Sequence, residues 1–140
     1  MKVLLFNVGR NLNRAYRTCF SFGINELYLI GKSDDKSIIW EKRGNLYSAK
    51  DRVKIKYYDS LDNLNMDNTV AFENYYTNSI FNLDWNGIDS ILIGGESTGL
   101  PRKLNVKEKV CILTVNKFCL TVEASLAIIL YEWSRYVNRM

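Results

Sequence analysis

A chain of 140 residues, 47% of them apolar and 24% charged, is long enough to bury one core and short for two. One proline and eight glycines exclude fibrous and disordered classes. The absence of histidine excludes Ser-His-Asp triads, imidazole acid–base catalysis and His-ligated metals within the chain. Cys19, Cys111 and Cys119 are odd in number and lack C-x-x-C spacing, so no disulfide framework or zinc site is indicated, and buried, reduced thiols are expected. A net charge of +4 suits a nucleic-acid partner without requiring one. No apolar run approaches the roughly 20 residues that span a bilayer. The opening run, Met1 to Phe6, stops at Asn7, too short for the core of a signal peptide. A first strand and a cytoplasmic protein are the expectation.

In chain order, residues 2–6 form the first expected strand. Residues 11–22 follow as a helix, with Asn11 at its N-cap and Gly23 just past its end. Further strands are expected at residues 26–30, 53–57, 69–73, 90–93 and 110–113, each a short apolar run rich in β-branched residues. Helices are expected at residues 37–48, briefly at 60–64, and at 121–136. The last of these gathers Val122, Leu126, Ile129, Leu130 and Trp133 on one apolar face. Near-continuous apolar strands are those buried on both faces of a parallel sheet. The expected fold class is α/β, one domain over residues 1–140 with a mostly parallel sheet flanked by helices. Ligands of such sheets bind in the loops beyond the carboxyl ends of the strands.

Chemistry concentrates in three such loops. The first runs Asn7-Val8-Gly9-Arg10-Asn11-Leu12-Asn13-Arg14-Ala15-Tyr16-Arg17-Thr18 and closes with Phe22-Gly23. A helix start with arginines suits a phosphate, although Arg10 and Arg14 read equally well as solvated charges. Arg17 lies beside Cys19, Phe20 and Phe22, which suggests a buried arginine in need of a partner. The second loop, Gly94-Gly95-Glu96-Ser97-Thr98-Gly99-Leu100-Pro101, follows an apolar strand. Paired glycines let a ligand approach the backbone, but a tight turn with Glu96 favoured by a helix dipole is the simpler reading of the spacing alone. It lacks the G-x-G-x-x-G and Gly-Lys-Ser/Thr patterns of dinucleotide and ATP sites. The third, residues 110–121, could hold a flat heterocycle through its backbone, and nothing in it demands that role.

Together, in this order and spacing, the segments resemble the three motifs of the TrmH/SpoU branch of the SPOUT methyltransferases. Residues 11–23 resemble its first motif, N-x-G-x-x-x-R-T followed by Phe-Gly. Residues 93–101 keep the Gly-x-Glu-x-x-Gly-Leu core of the second, and Leu130-Tyr131-Glu132 resembles the end of the third. The resemblance spans nearly the whole chain. It implies a deep C-terminal trefoil knot cradling S-adenosylmethionine, with S-adenosylhomocysteine as product, and a homodimer whose active site is completed by the partner. It also implies ribose 2′-O-methylation of RNA, tRNA ahead of rRNA, without metal or membrane. Carried over by position, Arg17 is the catalytic arginine that activates or orients the 2′-hydroxyl, and Asn11 and Glu96 hold it. Cofactor contacts fall at Phe72, Gly94, Ile112, Cys119 and Leu120, largely through main-chain atoms. Tyr131, Trp133 and Tyr136 are candidates for the dimer face.

Three departures stand out: Asn13 replaces the first motif's glycine, Leu113 a proline, and Cys119-Leu120-Thr121 the Ser-Leu-Asn of the third motif. The alternative they raise is a knotted RNA-binding homologue without catalysis. With no appended RNA-binding domain expected, Lys32, Lys42, Arg43, Lys50, Arg52 and Lys103 are candidate phosphate contacts.

Overall fold

The computed structural model describes residues 1–9, 12–33 and 52–138. Along the chain come β1 (Lys2–Phe6), α1 (Leu12–Ser21), β2 (Glu26–Ile30), β3 (Lys54–Tyr58), β4 (Thr69–Phe72), β5 (Asn78–Ser79), β6 (Ser90–Gly94), β7 (Glu108–Cys111) and α2 (Val122–Asn138). The strands form one sheet in the order β3-β2-β1-β6-β4-β7-β5. Every ladder is parallel, and β1 pairs in register with β2 on one side (Val3 with Leu27) and β6 on the other (Val3 with Ile91).

Alternation along the strands feeds two cores. Val3, Leu5, Leu27, Leu29, Val70, Ile91 and Ile93 point to the face covered by α1 and α2. Leu4, Tyr28, Ile30, Ala71 and Leu92 point to the other, packed by Leu61, Leu64, Met66, Leu100, Leu104 and Val106 from irregular segments. Among the described residues, therefore, both helices of two turns or more lie on one face, and the sheet is flanked by helix on that side alone. The helix expected at residues 37–48 lies outside the described residues, as does Asn11. The segment expected as a helix at residues 60–64 is a single 3-10 turn, Leu61–Asn63, opened by the Ser60 hydroxyl accepting from the Asp62 N–H at 3.3 Å.

β3 and β7 are displaced from their expected spans by one and two residues, because their outer parts are half exposed and their apolar pattern is diluted. β5 is two residues long, below what periodicity can register. Both sheet edges are blunted: β5 by shortness, and β3 by Lys54 and Lys56, the latter 3.8 Å from Glu26.

α1 buries Leu12, Ala15, Tyr16 and Cys19, an i, i+3, i+4, i+7 stripe. It ends in a Schellman turn: Gly23, at φ +74°, donates to the Phe20 carbonyl at 3.0 Å, and Ile24 to that of Cys19 at 2.8 Å. Arg17 is exposed, contrary to the burial expected of it. It sits roughly 140° around the helix from Leu12, so burial of its sequence neighbour Cys19 says nothing about its own side. On α2, Leu126, Ile129 and Leu130 are buried against α1 and the sheet. Trp133 and Tyr136 also pack partly onto that core, leaving Tyr131 as the outward-facing member of the proposed dimer trio, at 59% exposed. No helix among the described residues is long and apolar enough to cross a membrane.

Leu126 is fully enclosed, so Leu126→Ala should cost about 2–5 kcal/mol of stability through lost burial and the cavity left behind, read from urea unfolding. Cys19 and Cys111 are buried and Cys119 is exposed, which corrects the expectation that all the thiols are enclosed. Burial pushes the Cys19 thiol up to about 12, so it stays protonated and unreactive. A thiol reagent at about pH 8 should therefore label Cys119 in the folded protein and Cys19 only after denaturation. Prompt labelling of Cys19 without denaturant would contradict this packing.

Candidate active site

The site begins with backbone packed on backbone. β1 ends at Phe6, and Asn7 turns the chain at φ +55°, a conformation Asn tolerates better than most residues. Its side-chain oxygen accepts from the Lys32 N–H at 2.7 Å, which ties the end of β1 to the loop after β2. Next door, the Gly95 N–H donates to the Phe6 carbonyl at 2.8 Å. A Cβ on Gly95 would collide with the Asn7 carbonyl oxygen, and one on Gly94 would lie 2.6 Å from the Gly99 carbonyl carbon. The paired glycines are required first by this close approach. The loop then folds back on itself, with the Gly99 N–H donating to the Gly95 carbonyl at 2.8 Å and Gly99 at φ +63°.

Two carboxylates fasten this loop to its neighbours. Glu73, just beyond β4, accepts from the Leu100 N–H at 2.6 Å. Glu96 accepts from the Val122 N–H at 3.2 Å, at the first turn of α2. Thr121 is the N-cap of that helix, its hydroxyl accepting from the Ala124 N–H at 3.3 Å. Arg14 of α1 adds an ion pair to Glu123 at 3.2 Å. The segment between β7 and α2 is shaped by a turn in which Thr114 Oγ1 accepts from the Phe118 N–H at 3.1 Å, with Lys117 at φ +53°. Asn74 Nδ2 lies 2.8 Å from the Cys119 sulfur and joins this segment to the end of β4.

These strand ends enclose a cleft. Its walls are Phe72, Glu73 and Asn74 after β4; Ile93, Gly94, Gly95, Glu96 and Gly99 after β6; Ile112, Phe118, Cys119 and Leu120 after β7; and Val122 and Ser125 of α2. β6, β4 and β7 are neighbours in the sheet, so the cleft lies at adjacent carboxyl ends, where an open parallel sheet places its ligands. Every cofactor contact expected from the sequence (Phe72, Gly94, Ile112, Cys119, Leu120) lines it, and so does Glu96. Arg17 does not, and Asn11 lies outside the described residues. Of the expected phosphate contacts, Lys42, Arg43 and Lys50 are also outside. Lys32 is exposed beyond β2, on the cleft side of the sheet. Arg52 stands at the opposite edge, its guanidinium 5.2 Å from the Phe20 ring centroid, and Lys103 lines a separate groove beside Asp62 and Asp67.

Glu73, Asn74 and Phe118 are site residues that the sequence reading did not single out. Glu73 was readable as the end of a strand; a carboxylate closing a buried apolar run was the available signal. The cleft offers flat apolar walls, main-chain polar groups and two carboxylates, and none of its described lining residues is Lys or Arg. That chemistry suits a flat heterocycle linked to a cationic group and opposes a polyphosphate.

Comparison with sequence-family models and with curated proteins finds no match. Solved structures do match. One is from Bacillus anthracis, assigned provisionally as an RNA methyltransferase: 24% identity, 98% of this chain and 94% of that one covered, TM-score 0.79. A second, solved in connection with 2-OH methylation of C/U34 on tRNA, shares 22% identity over 98% of this chain and 90% of that one, TM-score 0.82. The third is the S-adenosylmethionine-bound rRNA methyltransferase of Sinorhizobium meliloti, at 21% identity and TM-score 0.83, where the match covers 97% of this chain but 56% of the other. At these identities the likeness establishes the fold, which is that of TrmH- and SpoU-type RNA methyltransferases.

Because Gly94 faces the Gly99–Leu100 backbone rather than a yielding side chain, Gly94→Ala should overpack the loop. A stability loss of about 1–3 kcal/mol is expected by urea titration. An unchanged midpoint would show that the loop has slack that this geometry denies.

Proposed function

We propose that this protein is an S-adenosylmethionine-dependent RNA ribose 2′-O-methyltransferase. The observation that carries the reading is the cleft itself, which gathers onto one fold of the methyltransferase type every cofactor contact expected from the sequence. The residues fit the cofactor: Gly94 and Gly95 expose main chain, Phe72, Ile93, Ile112 and Leu120 supply flat apolar walls, and the carboxylates suit a sulfonium. When bound, S-adenosylmethionine supplies an electrophilic methyl group. The chain's part is to orient the ribose hydroxyl, exclude water and stabilise the negative charge growing on the attacking oxygen.

Arg17 is our candidate for that stabilising charge. A guanidinium stays protonated, so it acts by orienting and by electrostatics rather than as a base. Being exposed on α1 and absent from the lining of its own cleft, it fits a homodimer in which each copy completes the other's site. Exposed Ile128 and Tyr131, one turn apart on α2, and exposed Phe20 on α1 support such an apolar contact face. In this reading Asn11 and Glu96 position Arg17, the C-terminal segment threads a knot that holds the cofactor, and the protein works in the cytoplasm. Among RNAs we favour tRNA, the RNA named for a solved structure that matches 98% of this chain at a TM-score of 0.82.

Calorimetric titration with S-adenosylmethionine, followed by transfer of labelled methyl groups to unmodified tRNA and rRNA, tests the reading. Arg17→Ala should lower methyl transfer by about 100-fold or more while leaving cofactor affinity within about twofold. Wild-type turnover in that variant would remove Arg17 from the mechanism. Tight cofactor binding with no transfer to any RNA would favour the non-catalytic homologue.

A further inference from the structure

We infer that Glu73 is a specificity-determining residue that makes the cleft prefer the charged methyl donor over its neutral product. The inference rests on the cofactor reading above and deepens it. S-adenosylmethionine carries one more positive charge than S-adenosylhomocysteine, at the sulfonium, and the two are otherwise nearly the same shape. A pocket built from main chain and apolar walls therefore has little with which to tell them apart except charge.

Glu73 is fixed where it can do so. Its own N–H donates to the Val110 carbonyl at 3.2 Å, and its carbonyl accepts from the Tyr76 N–H at 3.3 Å, so the backbone is anchored on both sides. Its carboxylate oxygen Oε1 is held at 2.6 Å by the Leu100 N–H, beside the site where a Cβ on Gly99 would sit, 2.8 Å away. These partners are neutral. No ion pair of the described residues includes Glu73, so its charge is not cancelled inside the cleft wall. Glu96 differs, because it caps the first turn of α2, where the helix dipole offsets much of its charge. The field of Glu73 is felt nearby: the Tyr76 phenol is pushed up to about 12, chiefly by burial and then by Tyr75 and the Glu73 carboxylate.

Product release follows from the same charge. Loss of the methyl group turns the sulfonium into a thioether, which removes the attraction to Glu73 while the apolar contacts remain. Fresh donor then outcompetes the product for the cleft.

Glu73→Gln is the discriminating variant, because its side-chain oxygen can still accept from Leu100 while the charge is gone. Calorimetric titration of the wild type and variant with each ligand should show S-adenosylmethionine affinity falling about tenfold and S-adenosylhomocysteine affinity changing less than about twofold. An equal loss for both ligands would assign Glu73 a purely structural role and overturn the inference, as would no change in either. If the wild type binds neither ligand, the cofactor reading falls and takes this inference with it. If it binds both but Glu73→Gln leaves their ratio intact, the inference alone fails.

Discussion

The close approach of the β6 loop to the end of β1 organises the site. Gly95 donates to the Phe6 carbonyl and has no room for a side chain against Asn7, so the two central strands of the sheet leave it at a common level. That position places Gly94 against Gly99 and Leu100, closing the loop, and puts the Leu100 N–H within reach of Glu73 from the neighbouring strand. From the same loop Glu96 reaches the start of α2. The cleft is thus a consequence of main-chain packing at the carboxyl end of the sheet, and the side chains that line it are carried there by strand ends whose register leaves little freedom.

The same construction shows what the residues that depart from the motif pattern do in the fold. Thr121, standing where an asparagine was expected, caps α2 through its hydroxyl, and both residue types are good caps. Cys119 and Leu120 line the cleft as expected, whatever their side chains. Leu113, in place of a proline, points outward at 55% exposure, where the substitution disturbs no core contact.

How much of this was legible in the sequence differed by element. β1 and β2 begin and end where the apolar runs do, because polar residues and turns bound them sharply. The end of α1 was readable from Gly23, which alone fits the left-handed turn there at low cost. Arg17 is exposed beside buried Cys19 because a helix buries by angle rather than by adjacency in sequence. Trp133 packs partly on the core, as its place on the apolar stripe of α2 indicates, and Tyr136 does so three residues on. The cofactor contacts were legible through resemblance to a family pattern, since periodicity carries no record of which loops meet. Glu73 escaped both routes because its partner, Leu100, lies across a strand crossing that only the folded topology reveals.

Charge organisation links these parts to the proposed chemistry. The chain as a whole carries +4, yet the cleft wall holds Glu73 and Glu96 and no described Lys or Arg. A methyltransferase acting on RNA must hold a cationic donor and a polyanionic acceptor side by side, and a uniformly basic surface would serve only the second. An acidic cleft within a basic chain separates the two tasks. In a protein with the proposed activity, phosphates would be drawn to the basic surface and repelled from the cleft, and the ribose hydroxyl, uncharged until it attacks, would be the part of the nucleotide that enters at least cost. On this view Glu73 would contribute selectivity twice, by retaining the donor and by restricting which group of the RNA comes near it.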